Sequence, residues 1–420
     1  MPQPRKPGRS ESIELSETSS GTYPAVSGGT GQPGNLGRSD TSELSETSSG
    51  TYPAVSGGTY PAVSGGTGQP GNLGRSDTSE LSETSSGTYP AVSGGGGPSV
   101  LPEWLLMPKL RELRASLPSQ IQFPCLKPSA YSPNLYLLCE NLQVSGSYKV
   151  RAACHLVQTW QKHHQSQHPR GVALASSGNF ASAIAWAGRQ LGVPTGVVMM
   201  EKSSAFKANK ASSLGAELFR CGNHTNDRIA TLQGLAKDGW WCVDHMESQE
   251  VIQAHATLGL DLVDGCLSQN LVPNRVLVPV STAGLLAGVA AAVKQQFPNT
   301  KVIGLQSSTS QAAVQSFRAR QVVQLEQTQT ICDALTANRP GRLPMEICWD
   351  WVDQLETVDD ELTQQSVLEL LQQEHLLVEP GAAIGHAYLK LHHQATDSND
   401  VLVLSGGNLD PQLLSRWIAE

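Results

Sequence analysis

Lys149 sits just past the short, hydroxyl-rich turn Ser145-Gly146-Ser147-Tyr148, at the opening of a stretch over 150–160 that reads as a helix. An amine there could form a Schiff base beside an anion held at the helix N-terminus, where free N–H groups and the helix dipole favour negative charge. Taken alone, a lysine in a first helical turn is more often an ordinary surface cation. Other segments carry comparable chemistry. Ala175-Ser176-Ser177-Gly178-Asn179-Phe180 is a glycine turn that would offer N–H groups and hydroxyls to an anion, although it reads equally well as a Ser or Asn helix cap. The apolar run 276–280 leads into Ser281-Thr282-Ala283-Gly284-Leu285, another place where a strand hands over to a helix. Ser405-Gly406-Gly407-Asn408 follows a strand-like run at 401–404 and by itself is only a turn signal. Glu379-Pro380-Gly381 reads as a helix N-terminus with an acidic residue just before it.

The elements that must position these residues alternate in type from residue 171 onward. Strand-like runs at 171–175, 195–200, 217–220, 276–280, 302–305 and 401–404 alternate with helical patterns at 180–191, 206–214, 285–297 and 381–393, two of them closed by Gly192 and Gly215. Helical patterns between buried strands predict βαβ units and mostly parallel sheets. In such folds ligands sit beyond the carboxyl ends of strands, and the segments above fall at those ends.

The string Glu140-Asn141-Leu142-Gln143-Val144-Ser145-Gly146-Ser147-Tyr148-Lys149-Val150-Arg151-Ala152-Ala153 resembles the lysine motif of pyridoxal-phosphate-dependent enzymes of the serine/threonine dehydratase branch, in the tryptophan synthase beta-like, fold-type-II superfamily. The resemblance implies an α/β fold of two three-layer parallel-sheet domains, with a smaller domain at roughly 154–250 inserted in a larger one formed by 100–153 and 251–420. It implies pyridoxal 5'-phosphate as cofactor, carried by Lys149. Ser176, Ser177, Gly178 and Asn179 match the loop that grips the substrate carboxylate, with Asn179 against the cofactor's 3-hydroxyl. Phe180 stands where that pattern has a histidine. Ser281, Thr282, Ala283, Gly284 and Leu285 correspond to a phosphate cradle of four glycines and a leucine, so three glycines are replaced and two hydroxyls are available as donors. Ser405 corresponds to the serine that faces the pyridine nitrogen, and Glu379 to an acidic residue near the ring. The implied activity is α,β-elimination from serine or threonine to a 2-oxo acid and ammonia, with Lys149 taking the α-proton. Ser177 stands where related racemases place a base, so racemisation is an alternative, as is a threonine-synthase-like replacement. A catalytically silent cofactor-binding scaffold is the reading from a different class. A small-molecule amino-acid substrate and a cytoplasmic homodimer are expected.

The 420 residues fall into two populations. Residues 1–99 contain 20 of the 40 glycines and no cysteine, tryptophan or histidine, so only 100–420 can bury a core. The string Leu-Ser-Glu-Thr-Ser-Ser-Gly-Thr-Tyr-Pro-Ala-Val-Ser-Gly-Gly recurs at 15–29, 44–58 and 81–95. Each copy has too little apolar surface to offset backbone ordering, and the spacing is unequal, so a disordered low-complexity tail is expected. The net charge of −8 and the lack of a basic stripe give no footprint for nucleic acid, and no apolar run is long enough for a membrane span. The eight cysteines are scattered without C-x-x-C spacing, which predicts free thiols rather than disulfides or a zinc site. Adjacent histidines at 163–164 and 392–393 point apart on a helix and make poor metal pairs. Trp240-Trp241 reads as packing, since no basic patch accompanies it. Asp261 and Asp264, at i and i+3, read as a solvated helix face rather than a cation site.

Overall fold

In a computed structural model, residues 100–124, 126–392 and 398–419 are described; the repeats of 1–99, Cys125 and His393 lie outside them. Among the described residues the chain opens with α1 (Met107–Ser116), β1 (Lys127–Pro128), β2 (Leu135–Cys139) and α2 (Lys149–Thr159). Four βα units follow: β3 (Gly171–Ala175), α3 (Asn179–Leu191), β4 (Thr195–Met200), α4 (Ala205–Ser213), β5 (Glu217–Cys221), α5 (Thr225–Lys237), β6 (Trp240–Val243) and α6 (Gln249–Ser268). Next come β7 (Arg275–Pro279), α7 (Gly284–Gln296), β8 (Lys301–Ser307), α8 (Ala312–Ala319), α9 (Arg342–Trp351) and β9 (Gln354–Val358). The chain closes with α10 (Asp360–Gln373), α11 (Pro380–Leu391), β10 (Asp400–Leu404) and α12 (Pro411–Ala419).

The strands form two sheets, β5-β4-β3-β6 and β1-β2-β10-β7-β8-β9. Every pairing is parallel except β1 with β2. The apolar strands β3, β7 and β10 are buried along their whole length, as strands covered on both faces must be. Gly192 and Gly215 end their helical segments with φ of 68° and 102°, the left-handed conformation a glycine cap provides.

The order of the larger sheet brings the chemistry together. β10 lies between β2 and β7, with Cys139 beside Leu404 and Leu277 beside Leu402. Because the three strands run parallel, their carboxyl ends leave at one edge, and Lys149, Ser405 and the 281–284 loop follow from those ends. The Lys149 turn is then stitched to the β10 loop: the Tyr148 N–H donates to Ser405 O at 3.1 Å and the Gly407 N–H to Gly146 O at 2.9 Å. Gly146 has φ of 79°, and a Cβ there would come within 2.3 Å of Asn408 Oδ1, so this turn admits only glycine.

Asp261 requires a correction. It is 3% exposed, not on a solvated face, and forms an ion pair at 2.7 Å with fully buried Arg151, which also pairs with Glu140 at 2.7 Å. Arg114 completes the cluster from α1. The reason is that α6 is buried nearly all round over 251–263, so an acid on it needs buried partners. The pairing ties α2, which begins with Lys149, to α6. Helix α6 in turn packs closely on α7, where a Cβ at Gly288 would come within 2.6 Å of the Ala256 nitrogen.

The described cysteines, 139, 154, 221, 242, 266, 332 and 348, are free. Trp240 is buried, and Trp241 stacks on His164 with ring centroids 4.2 Å apart. Among the described residues, no three His, Cys, Asp or Glu side chains gather to hold a metal ion, and no helix is long and apolar enough to cross a membrane.

Candidate active site

The carboxyl-end loops enclose a cavity of about 1070 Å³ lined by Lys149, Ser176, Ser177, Gly178, Asn179, Ser281, Thr282, Ala283, Leu285 and Ser405. These ten residues were singled out from the sequence, and the fold brings them into one space from separate segments of the chain. Gly284, the other cradle position, opens α7 just behind the lining.

Lys149 is half-buried, and its amino group makes no ion pair among the described residues. Its neighbours are aromatic: Nζ lies 4.6 Å from the ring centroid of Tyr148 and 5.3 Å from that of Phe180. Loss of water around the amine pulls its pKa down to about 7, although the negative charge of Glu379 opposes this. A sizeable fraction of the lysine is therefore neutral at neutral pH, the form a nucleophile or base needs.

Opposite lies a buried polar network. Asn179 Nδ2 donates to Glu379 Oε1 at 2.5 Å, and Asn179 Oδ1 accepts from Asn408 Nδ2 at 2.9 Å. Asn408 also donates to Ser145 O at 3.1 Å and accepts from Lys210. Glu379 is 1% exposed, and burial pushes its carboxyl up to about 7 against the pull of Lys207. Its second oxygen, Oε2, is buried with no partner. Position 406 must be glycine here, since a Cβ would lie 2.3 Å from Glu379 Oε1. At the end of β3, Ser176 Oγ accepts from the Gly178 N–H at 3.3 Å, and Ser203 donates to Ser177 Oγ at 2.7 Å.

The loop before α7 is built like a glycine loop without being one. Ala283 has φ of 71° and ψ of −8°, a left-handed conformation that costs a residue with a Cβ roughly 1–2 kcal/mol. The backbone therefore keeps the shape that a glycine would give. The first amides of α7 have no helical acceptor, and Ser281 and Thr282 stand half-buried beside them. A Cβ added at Gly178 would meet nothing within 4 Å, so it would stand in open space. An amine of lowered pKa, a helix start with free amides and two hydroxyls beside them, and a neutral serine at the end of β10 fit an aldehyde-bearing, phosphorylated cofactor such as pyridoxal phosphate.

His245, Lys207, Lys210 and Asn408 were not singled out as site residues from the sequence. His245 and Lys207 line the cavity directly, and Lys210 and Asn408 support Asn179 behind it. Nothing in their spacing marks them, because tertiary structure alone brings them to the cavity.

The chain is also similar to known proteins. A family profile described as "Pyridoxal-phosphate dependent enzyme" matches residues 119–406. The chain is 30% identical over 285 residues to an L-threonine ammonia-lyase of Thermotoga maritima, covering 68% of this chain and 69% of that protein. A crystal structure of a threonine deaminase from T.th. superposes with a TM-score of 0.67 at 29% identity, over 72% of this chain and 98% of that one. Maize serine racemase superposes with a TM-score of 0.67 at 24% identity, over 74% of this chain and 95% of that one, a likeness of fold.

Proposed function

The chain belongs to the pyridoxal-phosphate-dependent enzyme family of fold type II, so its cofactor is pyridoxal 5'-phosphate, and from that premise we propose that it is an ammonia-lyase acting on serine- or threonine-type amino acids. The products are a 2-oxo acid and ammonia. The observation that carries this reading is the Lys149 amine, held near neutrality in a cavity it shares with the 176–179 loop and Ser405.

Lys149 would hold the cofactor, the loop 281–285 its phosphate, and Asn179 and Ser405 its ring. When bound, the cofactor supplies an electron sink that weakens the bond to the substrate's α-hydrogen. The lysine amine, whose pKa is pulled down to about 7, has a neutral fraction at pH 7 that is suited to taking that proton. Ser176, Ser177 and the Gly178 amide offer donors to the substrate carboxylate at the start of α3. The tight seam between the 146–148 turn and the 405–407 loop keeps Lys149 and Ser405 at a fixed separation.

Racemisation is a second reading, favoured by Ser177 Oγ, which lies on the cavity lining within hydrogen-bond distance of Ser203. A panel of L-serine, L-threonine and their D-forms tests both. Keto-acid release supports elimination, whereas conversion of L- to D-amino acid without keto acid favours racemisation. If no substrate reacts and no visible absorbance develops with pyridoxal phosphate, the enzyme reading fails. The same proposal includes a cytoplasmic homodimer and a division into a smaller domain at roughly 154–250 and a larger one from 100–153 and 251–420. The placement of β3–β6 within 171–243 supports that division.

A further inference from the structure

His245 follows β6 and precedes α6, and it lines the same cavity as Lys149 and the 176–179 loop. Its ring packs edge-on against Phe180, with centroids 5.4 Å apart and planes at 82°. The Lys149 amine lies 5.3 Å from that same Phe180 ring, so the lysine and the imidazole both border one aromatic side chain. Phe180 is 2% exposed and fully used in packing, which leaves it no polar role. No hydrogen bond among the described residues occupies the imidazole nitrogens of His245, and they are not among the buried polar atoms left without a partner.

We propose that His245 hydrogen-bonds the side-chain hydroxyl of the substrate, and so determines specificity for hydroxylated amino acids. It thereby supplies from the β6–α6 loop an imidazole that position 180, occupied by phenylalanine, does not provide. The inference rests on the elimination reading and deepens it by naming what recognises the leaving hydroxyl. The state of the ring suits the task. Loss of water around it, together with the positive charges of Lys149 and Arg228, pulls its pKa down to about 3. It is therefore neutral through the physiological range, with one nitrogen able to donate and the other to accept. Its ring neighbour is Phe180, and the charges that act on it are those of Arg228 and of Lys149 when protonated. A neutral donor–acceptor pair can hold a hydroxyl without placing a second charge beside Lys149.

The test compares L-serine with L-alanine, which lacks the hydroxyl, on the holoenzyme. Dissociation constants come from the absorbance change of the bound cofactor, and kcat and KM from keto-acid release. H245F is expected to weaken L-serine binding roughly tenfold while leaving L-alanine binding unchanged, the loss that one neutral hydrogen bond implies. H245Q, which keeps an amide donor and acceptor, is expected to recover part of the serine affinity, and it serves as the probe if H245F fails to fold. Serine and alanine affinities that fall together, or that both stay unchanged, would overturn the proposal. If the unsubstituted protein releases no keto acid from any hydroxylated amino acid, the elimination reading fails and this inference with it. If it does release keto acid but the two variants do not separate serine from alanine, only the role of His245 fails.

Discussion

The chemistry at the residue scale rests on two groups that burial moves in opposite directions to the same region of pH. Lys149 is pulled down to about 7 and Glu379 is pushed up to about 7, because both give up water on entering the cavity. Glu379 is close enough for its charge to favour the protonated lysine, so the two titrations are linked. The sign follows directly. Capture of the cofactor aldehyde needs the neutral amine, whose fraction grows as pH rises through the lowered pKa of Lys149. The rate of pyridoxal phosphate capture by the cofactor-free protein is therefore expected to rise between about pH 6 and 8 and then level off, far below the ordinary lysine pKa of ~10.4. Glu379→Gln removes the opposing negative charge, so the rise should move to lower pH. Stopped-flow absorbance across this range is the measurement; a rise that begins only above about pH 9 would contradict the lowered pKa. Borohydride reduction of the loaded protein followed by peptide mapping is expected to mark Lys149, and a mark on Lys207 or Lys210 instead would overturn the assignment.

Elements were legible in the sequence where a local signal sufficed. The glycines at 192 and 215, the buried runs of β3, β4, β7 and β10, and the turns at their carboxyl ends all declare themselves through spacing and composition. The buried role of Asp261 was not legible, because its partners Arg151 and Arg114 are remote in the chain and only the tertiary fold brings them together. Asn408 is similar: a turn residue by its neighbours, it becomes the link between Asn179 and Ser145. The 281–284 loop lies between these cases, since its departure from glycine could be read from the sequence but its left-handed Ala283 could not. Two substitutions separate its parts. Thr282→Ala removes the hydroxyl that the proposed reading makes a donor to phosphate, and a hydrogen bond to a charged group contributes ~1.5–3 kcal/mol, so cofactor binding should weaken by roughly one to two powers of ten. Ala283→Gly relieves the positive φ and is expected to stabilise the protein by about 1 kcal/mol without weakening cofactor affinity. An unchanged dissociation constant for Thr282→Ala would show that the hydroxyl takes no part, and a loss of stability in Ala283→Gly would show that the αL position is not strained.

At the scale of the whole molecule, the described lining of the cavity comes from one part of the chain. Every described lining residue lies from 148 to 405, and the supporting Ser145 and Asn408 extend that span by only three residues at each end. The ion pairs that fix α2 on α6 come from Arg114, Glu140, Arg151 and Asp261, all beyond residue 99. The repeated segments at 15–29, 44–58 and 81–95 lie outside the described residues, and their sequence offers Leu, Tyr, Ala and Val thinly spread among Gly, Ser, Thr and Pro. Such a composition contributes little apolar area to a core, and no residue with site chemistry described above belongs to it. A protein lacking residues 1–99 is therefore expected to bind pyridoxal phosphate with unchanged affinity and to melt within about 2 °C of the full chain, since segments with so little apolar area add less than ~0.5 kcal/mol to its stability. Its keto-acid release should likewise match that of the full chain. Calorimetry and the substrate panel, run on both proteins side by side, decide the matter. A melting temperature several degrees lower, or turnover lost while the cofactor still binds, would mean that the repeats act on the folded part and that the site is not self-sufficient.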